Sequence, residues 1–116
     1  MRQMKKVYGL LGMAARAGKI SSGTMAAKSS MISRRACLLV VSNDIAPASR
    51  NSLMSASQRA KIPWVEVGDK YELGNAVGKA YRVALTVNDE GIAGALIKRM
   101  NEAEAAKSMG VDEWRK

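Results

Sequence analysis

The sequence predicts an α/β protein, a three-layer α/β/α sandwich whose central sheet is mixed and mostly parallel. Helical and strand patterns alternate along the chain with short connections, which is typical of helices covering both faces of a sheet. The run CLLVVS, residues 37–42, is apolar at five successive positions, as in a strand buried on both faces. With 116 residues, 47% of them hydrophobic, the chain is long enough to bury a core as one domain over residues 1–102.

Five segments have helical patterns. Residues 4–17 repeat apolar side chains every three or four positions, and Gly18 is expected to end this helix in the left-handed conformation. Ser21 or Ser22 is expected to cap the second helix, which buries Ala27 and Met31. The last helix is expected to begin at Asn88 or Asp89 and to bury Ile92, Ala95, Leu96 and Met100. The predicted helices after the first one cover residues 23–33, residues 47 to 59 or 60, residues 69–77, and the stretch from residue 88 or 89 onward.

Strand patterns separate these helices. Residues 19–22 are expected to form a short edge strand, residues 64–67 a strand that buries alternate side chains, and residues 82–87 a further strand. Gly74 and Gly78 are expected to provide a small-residue contact and a helix end. From residue 103 the composition predicts a helical extension and a tail.

The charge pattern points to an anionic partner. The chain has 19 basic and 10 acidic residues, a formal net charge of +9, and no Asp or Glu before Asp44. Such a balance is typical of proteins that bind nucleic acid or an anionic surface. A basic protein kept soluble by its charge is the simpler interpretation. The concentration of positive charge in the first third of the chain favours nucleic acid, most of all folded RNA.

Catalytic signals are weak. The chain has no His, and no Walker loop, nucleophile elbow or zinc-ligand spacing occurs. Cys37, the single cysteine, is expected to be a buried small hydrophobe rather than a nucleophile. The sequence therefore predicts a protein that is not an enzyme and has no cofactor, metal or small-molecule substrate.

The expected location is the cytoplasm. A single cysteine permits no disulfide within the chain, which fits a reducing compartment. The sequence shows no signal-peptide pattern, and no apolar run reaches the roughly 18 residues of a membrane span, so no membrane partner is expected.

Aromatic residues give little support for stacking on single strands. Trp64, Trp114, Tyr8, Tyr71 and Tyr81 are scattered through the sequence, whereas a stacking platform needs several aromatic side chains on one surface. The sequence instead favours contacts with phosphates and groove edges of structured RNA, made by polar side chains and helix N-termini.

Four runs, in this order and spacing, resemble one family. They are LLGMAARAGKISSG, LLVVSNDIAP, IPWVEVGDKYELGNAVGK and VNDEG. Together they resemble the ribosomal protein superfamily of the archaeal L-seven-Ae and eukaryotic L-thirty-e proteins, most closely its bacterial YlxQ-like branch, over about residues 6–97. The resemblance implies an α/β/α sandwich and the binding of kink-turn RNA at tandem sheared G·A pairs.

The resemblance also implies which residues contact RNA. The family's contacting turn is Gly-Thr-Asn-Glu-x-x-Lys, and here Gly23 and Thr24 match it. Met25, Ala26 and Ser29 stand at the Asn, Glu and Lys positions, with Lys28 one residue early. The Asp after the central strand matches Asp44, and the loop that packs on the kinked bases corresponds to residues 79–83, one residue shorter here. Combined with the charge pattern, the predicted RNA-binding residues are Lys19, Ser22, Gly23, Thr24, Lys28, Ser29, Arg34, Asp44, Ile45, Arg82 and Val83.

Two functions follow as alternatives. The first is a non-catalytic RNA-binding protein of the ribosomal type, with structured RNA as partner (rRNA or another kink-turn-like RNA) and with the ribosome as a site of action. The second is a protein–protein interaction module that keeps the fold but has lost kink-turn specificity. The replacement of Asn and Glu by Met25 and Ala26 favours the second alternative, because neither side chain can hydrogen-bond a purine edge.

Overall fold

A computed structural model describes residues 2–103 of the chain, and it contains five helices and four strands. The predicted tail, residues 103–116, lies outside the described residues apart from Ala103, which ends the last helix. In chain order the elements are α1 (Arg2–Arg16), β1 (Ile20–Ser22), α2 (Thr24–Ile32), β2 (Leu38–Val41), α3 (Pro47–Ala60), β3 (Trp64–Glu66), α4 (Lys70–Ala76), β4 (Ala84–Val87) and α5 (Glu90–Ala103).

The four strands form one mixed sheet in the order β1-β4-β2-β3. β2 and β3 pair in parallel, whereas β4 runs antiparallel to both of its neighbours, β1 and β2. The predicted mixed sheet is confirmed, but the expectation of mostly parallel pairing is wrong. α2 connects β1 to β2, and α3 connects β2 to β3. Each helix carries the chain back to the end of the sheet where the previous strand began, so these three strands share one direction. The reversed β4 lies between β1 and β2, and therefore makes two of the three pairings antiparallel.

Helices cover both faces of this sheet, as predicted. α1, α4 and α5 pack on one face, where Val7, Leu11 and Leu96 meet the sheet residues Val40 and Val65. α2 and α3 pack on the other face and form a second, smaller core cluster. All four residues of β2 are buried, which confirms the strand covered on both faces. Among the described residues, none of the helices is long and apolar enough to cross a membrane.

Glycines end two helices and begin a third. Gly18 ends α1 with a φ of 73°, and the N–H of Lys19 donates to the Ala14 carbonyl, which confirms the predicted left-handed end. Gly78 follows the end of α4 and is also left-handed, with a φ of 78°. Gly74 contacts the backbone of Tyr81 so closely that a Cβ atom there would lie 2.7 Å from the Tyr81 carbonyl carbon, which confirms the predicted small-residue contact.

Three local expectations are wrong in whole or in part. The N-cap of α2 is Gly23, not Ser21 or Ser22, because both serines belong to β1, where Ser21 Oγ accepts from Asn88 Nδ2 at 2.8 Å and Ser22 Oγ from Arg82 Nε at 2.6 Å. In α5, Leu96 and Met100 are buried as predicted, but Ile92 and Ala95 are half-buried, and Ala93 and Ile97 complete the buried face instead. Cys37 is half-buried rather than buried, since it precedes the covered part of β2.

Candidate functional site

Three loops meet at one end of the sheet. β1 and β2 end there and β4 begins there, because Val41 pairs with Ala84 and Ser22 with Leu85. The loops contribute residues 22–24, 43–45 and 81–83, and we refer to them together as the carboxyl-end site. The first residues of α2, α3 and α4 lie at this end as well, since each of these helices follows a strand of the common direction.

Backbone hydrogen bonds join the three loops to one another. The N–H of Gly23 donates to the Ala84 carbonyl and the N–H of Ser42 to the Val83 carbonyl, both at 2.9 Å. The N–H of Arg82 donates to the Lys70 carbonyl, also at 2.9 Å. These contacts connect two strand ends and the start of α4, so the site is preorganised by the sheet itself.

The start of α2 presents backbone donors to solvent. Gly23 has φ 102° and ψ 158°, a conformation that only glycine adopts readily, and no side chain caps the helix. The first intrahelical bond is from the N–H of Ala27 to the Gly23 carbonyl, so the N–H groups of residues 24–26 have no partner within the helix. A Cβ atom built on Gly23 would meet nothing within 4 Å. The approach to these donors is therefore open.

Met25 and Ala26, which stand at the family's Asn and Glu positions, both lie exposed on the first turn of α2. Met25 is 86% exposed, the largest exposure among the exposed large hydrophobic side chains of residues 4–102. The surface beside the backbone donors is thus apolar where the family motif has hydrogen-bonding side chains.

Asp44 connects the second loop to α4. Its Oδ1 accepts a 3.1 Å hydrogen bond from the backbone N–H of Lys70. The neighbouring Ser42 hydroxyl and this N–H hold the pKa of the Asp44 carboxyl below its ordinary value, and the Lys70 charge acts in the same direction. Within residues 2–103 the buried Ser42 Oγ itself has no hydrogen-bond partner of good geometry, so the Lys70 N–H is the direct contact of the carboxylate. The side chain fixes the loop to α4, and its lowered pKa keeps the exposed carboxylate ionised at neutral pH.

Arg82 anchors the third loop. Its Nε donates to Ser22 Oγ at 2.6 Å and its Nη1 to the Tyr81 carbonyl at 2.7 Å. The guanidinium is half-buried between the end of β1 and its own loop. It therefore places a fixed positive charge at the centre of the carboxyl-end site.

An exposed aromatic pair flanks this arginine, and sequence reasoning missed it. Tyr71 and Tyr81 are 55% and 56% exposed, with ring centroids 6.5 Å apart and planes at 72°. Lys70 Nζ lies 5.3 Å from the Tyr71 ring centre and 5.9 Å from that of Tyr81. The only signal in the sequence was two tyrosines near a lysine, and no local pattern shows that the loop after α4 folds back on the start of that helix.

The structure brings together most of the predicted RNA-binding residues, with different exposures. Ile45 is 8% exposed and Val83 half-buried, so both support their loops by packing. Lys28 and Ser29 are exposed one turn further along α2, where Lys28 Nζ donates to Ser52 Oγ at 3.0 Å. The members of the carboxyl-end site among them are Ser22, Gly23, Thr24, Asp44, Ile45, Arg82 and Val83.

Lys19 and Arg34 are separated from this site. Lys19 precedes β1, and its carbonyl accepts from the N–H of Asn88, beyond the far end of β4. Arg34 follows the C-terminus of α2, and the nine residues of that helix place it about 13 Å or more from Gly23. A strand and a helix each carry the chain across the whole sheet, so these two residues lie away from the carboxyl-end site although they are close to it in sequence. Their contact with RNA stays a prediction.

The chemistry of the site is that of an anion-binding surface. It combines backbone N–H groups, the Arg82 guanidinium, the Lys70 ammonium and exposed aromatic rings. Residues 2–103 contain no group of three or more Cys, Asp or Glu side chains that could hold a metal ion. Such a surface suits phosphate groups and planar bases.

Comparison with known proteins gives a consistent result. The model of the ribosomal protein L7Ae/L30e/S12e/Gadd45 family matches residues 5–97. The chain is 30% identical over 94 residues to the RNA-binding protein YlxQ of Bacillus subtilis (strain 168), covering 81% of this chain and 94% of that protein.

Two solved structures share the fold. A protein of unknown function from Bacillus halodurans C superposes with a TM-score of 0.79 at 29% identity, over 83% of this chain and 97% of the other. The Giardia lamblia 15.5kD RNA binding protein superposes with a TM-score of 0.74 over 90% of each chain. At 18% identity the second match supports the fold alone.

Proposed function

The chain belongs to the ribosomal protein L7Ae/L30e/S12e/Gadd45 family, and from this membership we propose that it is a non-catalytic, cytoplasmic RNA-binding protein that holds structured RNA at the carboxyl-end site. The B. subtilis relative is called an RNA-binding protein, which supports the proposal. The net charge of +9 supports it too, because phosphate contacts supply most of the sequence-independent affinity for RNA.

One observation carries the proposal: the uncapped start of α2 lies next to the anchored Arg82. The N–H groups of residues 24–26 point out of the helix start, where the helix dipole favours negative charge. Arg82 adds a guanidinium whose position is fixed by Ser22. Together they form two donor groups on neighbouring loops that a phosphate or a base edge could bridge.

The aromatic pair extends this site toward α4. Tyr81 has an open ring beside the loop of Arg82, and a base stacked on an aromatic ring contributes about 1–3 kcal/mol. We infer that the bound RNA presents an unstacked base to Tyr81. This favours an RNA with a bulge or an internal loop over a regular duplex, in line with the splayed bases that sequence-specific RNA-binding proteins recognise.

Kink-turn specificity is proposed to be weak. Each good polar contact to a base edge provides about 1–3 kcal/mol of discrimination in DNA recognition, and comparable contacts to the G·A edges would need Asn and Glu. Met25 and Ala26 cannot make them. The RNA partner is therefore selected by shape, charge and an unstacked base, and rRNA in the ribosome is the partner class that the family name suggests.

A second candidate function rests on Met25. Met25 lies on the first turn of α2 and is 86% exposed. An exposed, flexible methionine is typical of surfaces that adapt to a protein partner. In this alternative the carboxyl-end site binds an apolar segment of a protein partner, and RNA binding is residual.

The location of RNA contacts tests the proposal. A two-stem RNA with tandem G·A pairs is titrated into the 15N-labelled protein, and backbone amide shifts are followed. We expect the largest shifts at residues 22–26, 44–45 and 81–83, with Lys19 and Asn88 at the far end of the sheet as internal controls. Largest shifts at the far end, or none at saturating RNA, would contradict the proposed site.

A further inference from the structure

The helical layer that contains α2 and α3 has a groove running along its outer surface. At one end of the groove lie Thr24 and Met25 of α2 and Ser52 of α3, beside the carboxyl-end site. At the other end lie Arg34, after α2, and Arg59 of α3. Lys28 lines both parts and stands between them, and we refer to the two parts together as the α2–α3 groove.

This groove carries positive charge that no neighbouring acid neutralises. Neither α2 nor α3 contains Asp or Glu, and between Thr24 and Lys61 the only acidic residue is Asp44. Asp44 lies in the carboxyl-end site and accepts from the Lys70 N–H. The two ion pairs formed within residues 2–103 are Arg50–Glu66 and Arg99–Glu102, so the groove cations are in neither of them.

The cations are spaced along the groove. Lys28 is exposed and bridges the two helices through its 3.0 Å bond to Ser52 Oγ, a neutral partner that leaves the ammonium charge in place. Arg34 and Arg59 are exposed at the other end. The nine residues of α2 span about 13 Å. One strand of duplex DNA presents about one phosphate per 3.4 Å of its axis, so by analogy roughly four phosphates of one RNA strand lie along this length.

We propose that the α2–α3 groove binds the phosphate backbone of an RNA stem that continues from the carboxyl-end site. This inference rests on the proposed function and extends it, because it assigns a direction to the bound RNA. The stem leaves the site along Lys28 and ends near Arg34 and Arg59. Contacts of this kind read no sequence, and they add affinity in proportion to the length of stem that reaches the cations.

A strand of RNA fits these observations better than a protein segment. Positive charges lie at two positions along the groove, Lys28 at its middle and Arg34 with Arg59 at its far end, and successive phosphates of one strand can contact both. The near end of the groove lies beside the site where RNA is proposed to bind. The exposed apolar side chain at its far end, Ile32, is a single residue rather than a patch. An acidic protein segment is the competing occupant, and the experiment below distinguishes it.

The test compares two charge-matched double variants. Arg34→Gln/Arg59→Gln removes two cations from the groove, and Lys5→Gln/Lys6→Gln removes two exposed cations from α1, on the other face of the sheet. Each is titrated with a two-stem, tandem-G·A RNA in a long-stem and a trimmed-stem form at two salt concentrations. Circular dichroism and thermal unfolding check that both variants remain folded.

For the long-stem RNA, we compare the slopes of log affinity plotted against log salt concentration. The slope of the groove variant is expected to be shallower than that of the wild type by about 1.8, because two phosphate contacts of about 0.9 each are lost. A fourfold rise in salt then weakens the wild-type complex about 12-fold more than the variant complex. The α1 variant is expected to keep the wild-type slope, and the trimmed RNA is expected to bind the wild type and the groove variant equally.

Two results would overturn the inference. A wild-type salt slope for the groove variant on the long-stem RNA would show that the groove takes no phosphates. In a parallel titration with poly-glutamate, loss of binding by the groove variant, with its RNA slope unchanged, would assign the groove to an acidic protein segment. Failure of the wild type to bind either RNA would instead contradict the proposed function, so the two failures are distinguishable.

Discussion

The Nε atom of Arg82 donates a 2.6 Å hydrogen bond to Ser22 Oγ, and this contact has two consequences. It fixes the loop before β4 against the end of β1, and it places the Arg82 guanidinium next to the start of α2. That helix begins at Gly23, which has no side chain to cap it, and its first N–H groups are open to solvent. One hydrogen bond therefore positions a cation beside the open backbone donors.

The first prediction concerns the specificity of the turn. The double change Met25→Asn/Ala26→Glu is expected to raise the preference for a two-stem RNA with tandem G·A pairs over a plain duplex, because it restores two groups that can hydrogen-bond purine edges. The added carboxylate is expected to weaken binding to the duplex. Mobility-shift titrations with both RNAs measure the ratio.

The opposing directions separate the two mechanisms. A protein that binds RNA by charge alone would lose affinity for both RNAs in the double variant. Ala26→Gln, which adds a polar side chain of similar size without charge, serves as the control. An unchanged ratio in Met25→Asn/Ala26→Glu would show that this turn does not contact the G·A pairs.

The second prediction concerns the contact between α4 and the third loop. Gly74→Ala places a methyl group against the Tyr81 backbone, which cannot move without shifting the loop of Arg82. We expect a loss of about 1–3 kcal/mol in unfolding free energy, the usual range for overpacking, together with weaker RNA binding. Urea unfolding and a mobility shift measure the two effects.

Gly94→Ala is the matched control, since a Cβ atom there would meet nothing within 4 Å on the exposed side of α5. It is expected to stabilise the protein by about 0.5–1 kcal/mol through helix propensity. Equal stability of the two alanine variants would contradict the close packing of Tyr81 on α4.

The third prediction follows from the lowered pKa of Asp44. A carboxyl whose pKa is lower in the folded protein stabilises the fold at pH values above its ordinary pKa, and this contribution is lost as pH falls through the folded value. Asp44→Asn removes it. The stability difference between wild type and Asp44→Asn is therefore expected to shrink on acidification below the ordinary value of 3.8.

Unfolding free energies measured from neutral pH down to the acid limit of the folded state check this dependence. A difference that stays constant through the acid range would show that the Asp44 charge has no part in holding the second loop to Lys70.

The fourth prediction concerns Cys37. Burial, followed by the nearby Glu90 and Asp89 carboxylates, raises the pKa of its thiol above the ordinary 9.0. Because the thiolate is the reactive form, the native protein is expected to react with a thiol reagent more slowly than the urea-unfolded protein at pH 8. The pH at which native labelling reaches half its maximum rate should lie above 9.0. Native labelling as fast as unfolded labelling would contradict a structural role for this residue.

The sequence predicted the elements better than their arrangement. The helices and the buried β2 have local patterns, and Gly18, Pro47 and Asp89 mark helix boundaries that the structure confirms. The insertion of β4 between β1 and β2 depends on pairing between distant segments, which no local pattern contains. That insertion is the reason why the sheet is not mostly parallel.

The same limit applies to the site. Gly23, Asp44 and the loop of Arg82 were identified through the family resemblance, and the structure brings them together. Lys19 and Arg34 were grouped with them by charge, although they lie at the opposite end of the sheet or helix. Sequence reasoning also treated Tyr71 and Tyr81 as scattered, although α4 and the loop after it bring their ring centroids within 6.5 Å. Charge and residue type are local properties, whereas a surface is assembled by the fold.

RNA binding through phosphates at the carboxyl-end site is tested most directly by titrating the wild-type protein with a two-stem RNA containing tandem G·A pairs and with a plain duplex of equal length, at about 50 mM and about 200 mM salt. We expect both RNAs to bind and their affinity to fall steeply with salt, at a log–log slope of about −0.7 to −0.9 per phosphate contacted. We expect the two-stem RNA to be preferred by less than a hundredfold, which corresponds to about 2.7 kcal/mol. Affinity that is flat between the two salt concentrations would contradict RNA binding through phosphates at this surface. A preference of a hundredfold or more would show that residues other than Met25 and Ala26 read the G·A pairs.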